Sequence, residues 1–113
     1  MNIEVQTLAA TMTTAASGEA RGCWPLIRRV AEMEFARFAQ LIEDINQLHA
    51  AGEIDSFDAF AIVSGYRVAA IDTISHVKGL GKGTGRAAAR EAMRAAVDAA
   101  RGIVDTASEI RLL

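Results

Sequence analysis

The chain has 113 residues, of which 51% are hydrophobic, 5% aromatic and 23% charged, with a formal net charge of −2. This is the length of one domain with enough apolar residues for a core. The charge gives no general attraction to nucleic acid or an anionic membrane, and the lone cysteine, Cys23, excludes an intrachain disulfide. Much of the apolar share is alanine, which favours helix but buries little area per residue. A second copy of the chain could help complete so thin a core. No run of 18 apolar residues is available to span a membrane, since the best stretch, 57–77, is interrupted by Asp58, Arg67, Asp72 and His76. The first twenty residues lack the positive start of a secretory signal and carry Glu4 instead. A cytoplasmic protein is expected, and the preference for arginine over lysine together with the alanine load suggests a GC-rich, bacterial genome.

From residue 3 to 16, Val5, Leu8, Ala9, Met12, Ala15 and Ala16 recur at helical spacing. Thr7, Thr11, Thr13 and Thr14 weaken that helix because threonine is β-branched. A short, partly frayed first helix or arm is expected within 1–20, punctuated by Ser17 and Gly18.

The next stretch, Trp24 to Ala51, reads as one long helix opened by Pro25 and capped by Gly52. At about 100° per residue, Val30, Leu41, Leu48, Ile27, Ile45, Phe38, Ala31, Ile42 and Phe35 fill one apolar arc. Glu34 intrudes on that arc. Trp24, Phe35 and Phe38 read as core, and Cys23 as a small buried neighbour of Trp24. His49, on the apolar side near the helix end, can cap carbonyls or meet Asp58 across the turn.

Asp55, with Asp58 three residues on, is a variant of the capping box and opens a helix over 57–78. Ile62, Tyr66, Val77, Ala70, Val63, Ile74, Phe60 and Ile71 cover more than half its circumference, leaving a polar strip of Asp58, Gly65, Asp72 and His76. A helix this apolar is expected at the centre, covered on several sides. Asp72 and His76 have the i,i+4 spacing of two metal ligands or an acid–base pair. With no third ligand in the pattern, they read as a solvated ion pair.

A glycine-dense loop, 79–85, leads into a last helix from Thr84 or Gly85 to about Ile110. One face carries Arg90, Glu91, Arg94, Asp98, Arg101, Asp105 and Glu109, with Arg94–Asp98 and Arg101–Asp105 spaced for exposed ion pairs. The other carries Ala89, Ala92, Met93, Ala96, Ala100, Ile103, Val104 and Ala107. The fold class is all-α: an up-and-down bundle of three long helices plus a weaker N-terminal one, expected to dimerise.

Two charges, Glu34 and Arg67, stand on otherwise apolar faces, where an isolated charge is costly unless paired or facing a cavity. Folding the two helices back at 52–55 puts Glu34 level with Thr73 and Arg67 level with Gln40. Their offset is then roughly 9 Å along the axis. A hydrogen bond from Glu34 to Tyr66 or Thr73, an ion pair to Arg67, and pairing across a two-fold interface are all open. Glu34, Tyr66 and Arg67 are also the candidate lining of a small-molecule pocket.

Lys82, Thr84 and Arg86 form a weaker anion-binding candidate, where free amides and a helix start coincide. The glycine spacing is not that of a P-loop, and no strand precedes it. Lys78, Lys82, Arg86, Arg90 and Arg94 make a basic ridge, but no aromatics interleave with it, which argues against single-strand nucleic acid. Neither a Ser/His/Asp set nor a dinucleotide fingerprint occurs. The Glu-x-x-Glu and Glu-x-x-Asp pairs of helical nucleotide pyrophosphohydrolases are missing, as are the several inward bases of helical chorismate mutases. The expectation is a non-enzymatic protein without a cofactor, acting by protein–protein association as adaptor, regulator or structural accessory, and forming a homodimer. The alternative is a small-molecule or anion-binding protein with a polar pocket among its helices.

Overall fold

A computed structural model describes residues 3–20, 22–80 and 84–113, with Thr84 and Gly85 described by backbone alone. It contains four helices: α1 (Val5–Ala20), α2 (Trp24–Ala50), α3 (Ser56–Ser75) and α4 (Thr84–Ala107). No strand occurs among the described residues, in keeping with the all-α expectation. The helices assemble into a body of 44 × 22 × 17 Å.

The helix ends follow from local chemistry. Ala51 caps α2, and Gly52 takes φ +75°, the left-handed conformation that glycine adopts without strain. The amide of Glu53 then reaches Leu48 O at 2.9 Å and that of Gly52 reaches His49 O at 3.0 Å, the paired bonds of a Schellman motif. At the start of α3, Asp55 Oδ1 accepts the Asp58 amide at 2.7 Å, as the spacing predicts. The other end of α3 comes earlier than expected, at Ser75 rather than residue 78. In a continuing helix the Asp72 carbonyl would receive the amide of His76. Here it lies 2.9 Å from the Ser75 hydroxyl and 2.7 Å from His76 Nδ1, and the His76 amide turns back to Thr73 O. Helix α4 likewise stops at Ala107 and not at residue 110, and the segment after it buries Leu112 and Leu113.

Two helices exchange the parts that the sequence assigns them. Helix α1 is no frayed arm: it runs through Ser17 and Gly18 to Ala20 and buries Leu8, Met12, Ala16 and Ala20. Of all the helix pairs, α1 and α4 pack most closely. Helix α4 contributes buried alanines to the core (Ala89, Ala92, Ala96 and Ala100). Small side chains on one partner let two helices come near, and this contact outweighs the poor propensity of the threonines. An amide–carboxylate contact from Ile3 to Glu43 ties the start of α1 to α2.

Helix α3, expected at the centre, packs against α2 and more sparsely against α4. Only Ala59, Val63, Ala70 and Ile74 are buried on it. Phe57 is 80% exposed and Val68 63%. An apolar surface on every side gives a helix no preferred direction, and the neighbours available to α3 cover only one arc.

Candidate functional site

Among the described residues Glu34 is the one charged side chain that is buried. Its side chain lies in the seam between α2 and α3, where Oε2 accepts the Tyr66 hydroxyl at 3.1 Å and Oε1 stands 3.5 Å from Arg37 Nη1. The Phe38 ring stacks on Tyr66 with centroids 5.6 Å apart and planes 18° apart. The carboxylate is therefore satisfied from both helices: a phenol from α3, and a guanidinium one turn along α2. Of the two hydrogen-bond partners open in the sequence, Tyr66 is the one used. Thr73 turns its hydroxyl to Ala69 O within its own helix. Burial and the Glu34 bond push the Tyr66 phenol above its ordinary value of 10.0, while Arg37 pulls it down.

Arg67 does not join this group. Consecutive residues on a helix point about 100° apart, so α3 turns Tyr66 towards α2 and Arg67 towards α4. The candidate trio thus divides, and Glu34 and Arg67 do not pair within the chain. Arg37, the second partner of Glu34, was not singled out in the sequence. Its i,i+3 spacing from Glu34 was a usable signal. Asn46, elsewhere on α2, is buried as well, at 5% exposed.

The seam between α3 and α4 holds a groove of about 350 Å³. Arg67, Arg90, Arg94 and Arg101 line it, together with Glu91 and Asp98 and the apolar side chains of Ile71, Met93 and Val97. The ion pairs on α4 are not the two expected from i,i+4 spacing. They are Asp98 with Arg101, 3.2 Å apart, and Glu91 with Arg94, 3.9 Å apart. In each the acid precedes the base along the helix, the favourable order relative to the helix dipole, whereas Arg94–Asp98 and Arg101–Asp105 would reverse it.

A second, smaller groove of about 220 Å³ continues the same seam past Ile71 and Arg90 to Asp72, His76 and Arg86. His76 Nδ1 lies 2.7 Å from the Asp72 carbonyl and must donate to it. His76 Nε2 lies 3.2 Å from Arg86 Nη2 and must accept. His76 Nδ1 also stands 3.4 Å from Asp72 Oδ1, so these two exposed side chains meet at the expected i,i+4 spacing while the same histidine closes the helix end through the Asp72 carbonyl. Among the described residues no group of three or more His, Cys, Asp and Glu side chains could hold a metal ion.

The remaining candidates have simple placements. Lys82 lies outside the described residues, as does the side chain of Thr84, where α4 begins. Arg86 is exposed beside His76. His49 meets Ser56 Oγ at 3.2 Å across the α2–α3 turn, and not Asp58. Cys23 is half-buried at the start of α2, where its side chain makes no capping bond. Among the described residues no helix is long and apolar enough to cross a membrane. Comparison with known protein families, with characterised proteins and with solved structures gives no match for this chain.

Proposed function

We propose that the chain is a non-enzymatic helical protein that works by association, with the outer face of α3 as the surface on which a second copy docks. One observation carries this reading. Among the described residues, the large apolar side chains that are exposed, namely Leu26, Met33 and Leu48 on α2 and Phe57, Phe60, Ile62 and Val68 on α3, all belong to one pair of adjacent helices. Exposed apolar side chains gathered on neighbouring helices favour an interaction site over the scattered exposed residues of an ordinary surface.

The pattern on α3 favours a second copy as the occupant. Phe57, Ala61, Ser64 and Val68 follow the 4-3-4 spacing of a helix-pairing seam and carry no charge. A two-fold axis places the same patch on both partners. Antiparallel pairing about the middle of this stripe sets Phe57 against Val68 and Ala61 against Ser64, large against large and small against small. Asp58, Arg67 and Asp72 flank the stripe and stay clear of its centre.

Light scattering coupled to size exclusion tests the reading. The expected mass is twice the 12.0 kDa of the chain, returning to a single chain in Val68→Glu with the helical circular dichroism unchanged. A monomer at every concentration overturns it.

A further inference from the structure

We propose that the α3–α4 groove is a binding site for a small organic anion: a carboxylate or phosphate head group carried on an apolar body. The proposal is independent of the association reading, because the groove lies beside the outer stripe of α3 and has its own chemistry.

The groove gathers a surplus of positive charge in a chain whose overall charge is −2. Four arginines, Arg67, Arg90, Arg94 and Arg101, meet there with two carboxylates. Both carboxylates are engaged, Asp98 by Arg101 and Glu91 more loosely by Arg94. Arg67 and Arg90 have no acidic partner within ion-pair distance among the described residues. They approach from different helices, Arg67 from α3 and Arg90 from α4. A head group between them would bridge a sparsely packed seam. The Nε of Arg101 is buried and lacks a hydrogen-bond acceptor, and an unmatched buried donor of this kind is costly to leave so.

Guanidinium forks suit carboxylate and phosphate because both accept two parallel hydrogen bonds. The lining also selects for more than a bare ion. Ile71, Met93 and Val97 supply an apolar wall, and Met93 and Val97 belong to the hydrophobic core itself, which fixes that wall in place. A volume of about 350 Å³ falls in the range of small-molecule sites. The ligand that fits is an anion at one end and a ring or short alkyl chain at the other.

Nitrogen–proton NMR titration of the full chain, with benzoate and phenyl phosphate as probes, tests this. Benzyl alcohol serves as the neutral control and inorganic phosphate as the head group alone. The expected result is saturable shifts at Ile71, Met93 and Val97 with at least one organic anion, weakening as salt is raised, and none with benzyl alcohol. The stronger of the two probes names the head group. Arg90→Gln and the double variant Arg67→Gln/Arg90→Gln should each weaken binding, the latter by about tenfold or more. Arg28→Gln, which removes an exposed α2 side chain paired with Glu32, should leave binding unchanged. The proposal is overturned if neither organic anion gives saturable shifts in this groove. It is also overturned if the double variant binds like the parent, or if inorganic phosphate binds as tightly as phenyl phosphate.

Discussion

Helices α1 and α3 each pack against both α2 and α4, yet they do so in opposite ways. Helix α1 is modest in composition, with four threonines and several alanines, but every fourth residue from Leu8 to Ala20 is buried. Helix α3 is the more apolar of the two and leaves Phe57 and Val68 largely in solvent. The contrast separates two properties that sequence reading tends to merge. Apolar content states how much surface a helix would gain by burying. The alignment of apolar residues into one stripe, together with a partner smooth enough to approach, decides how much it does bury. The alanine face of α4 gives α1 such a partner. The seam on its other side, lined by arginines, gives α3 less.

This contrast can be broken most directly at Met12, which is fully buried in α1. Met12→Ala should cost about 2–5 kcal/mol in urea unfolding, the range for truncating a buried large side chain. A loss below about 0.5 kcal/mol would return α1 to the status of a frayed arm. Closeness of approach is tested at Ala96, where Ala96→Leu should overpack the buried alanine face of α4 and cost about 1–3 kcal/mol. If that variant gained stability instead, the alanine face would hold a void and the account of the α1–α4 seam would fail.

The polar seam between α2 and α3 should respond less than Met12. Glu34→Ala leaves the Tyr66 hydroxyl without its acceptor and should lower stability by about 1–3 kcal/mol, a fall of several degrees in melting temperature. In the parent, the Tyr66 phenol should ionise above 10.0 in ultraviolet titration, and in Glu34→Ala it should return towards that value. The sign for stability follows from the raised pKa. The contribution of Tyr66 is complete below the unfolded-state value of about 10 and is lost as pH rises through the higher folded-state value. Unchanged titration in the variant would place Tyr66 outside the reach of Glu34. The smallest effect belongs to the outer face of α3. In a Val68→Glu background, where association does not enter, adding Phe57→Ser should change stability by no more than about 0.5 kcal/mol. A larger loss would show that Phe57 is covered within the chain.

Much of the fold was legible because its signals are local. The Asp55 cap, the glycine turn at Gly52 and the proline at the start of α2 depend on groups only a few residues apart, so their chemistry is complete in the sequence. The intrusion of Glu34 on an apolar arc was equally visible, and so was Tyr66 as a partner for it. The premature end of α3 was harder to read, since side chains of Ser75 and His76 compete there with a backbone bond that the apolar pattern alone would continue.

By itself, then, the sequence determined four helical segments, the positions of their main caps and the presence of a charge that had to be satisfied inside. Each of these rests on periodicity or on contacts across a few residues. The tertiary structure alone decided which helix was covered and which left bare, that Tyr66 and Arg67 would serve different seams, and that arginines from two helices would share one groove. Those outcomes depend on how closely distant segments can approach and which way each face turns. A pattern along one helix does not contain that information, because the neighbour it meets is set by the rest of the chain.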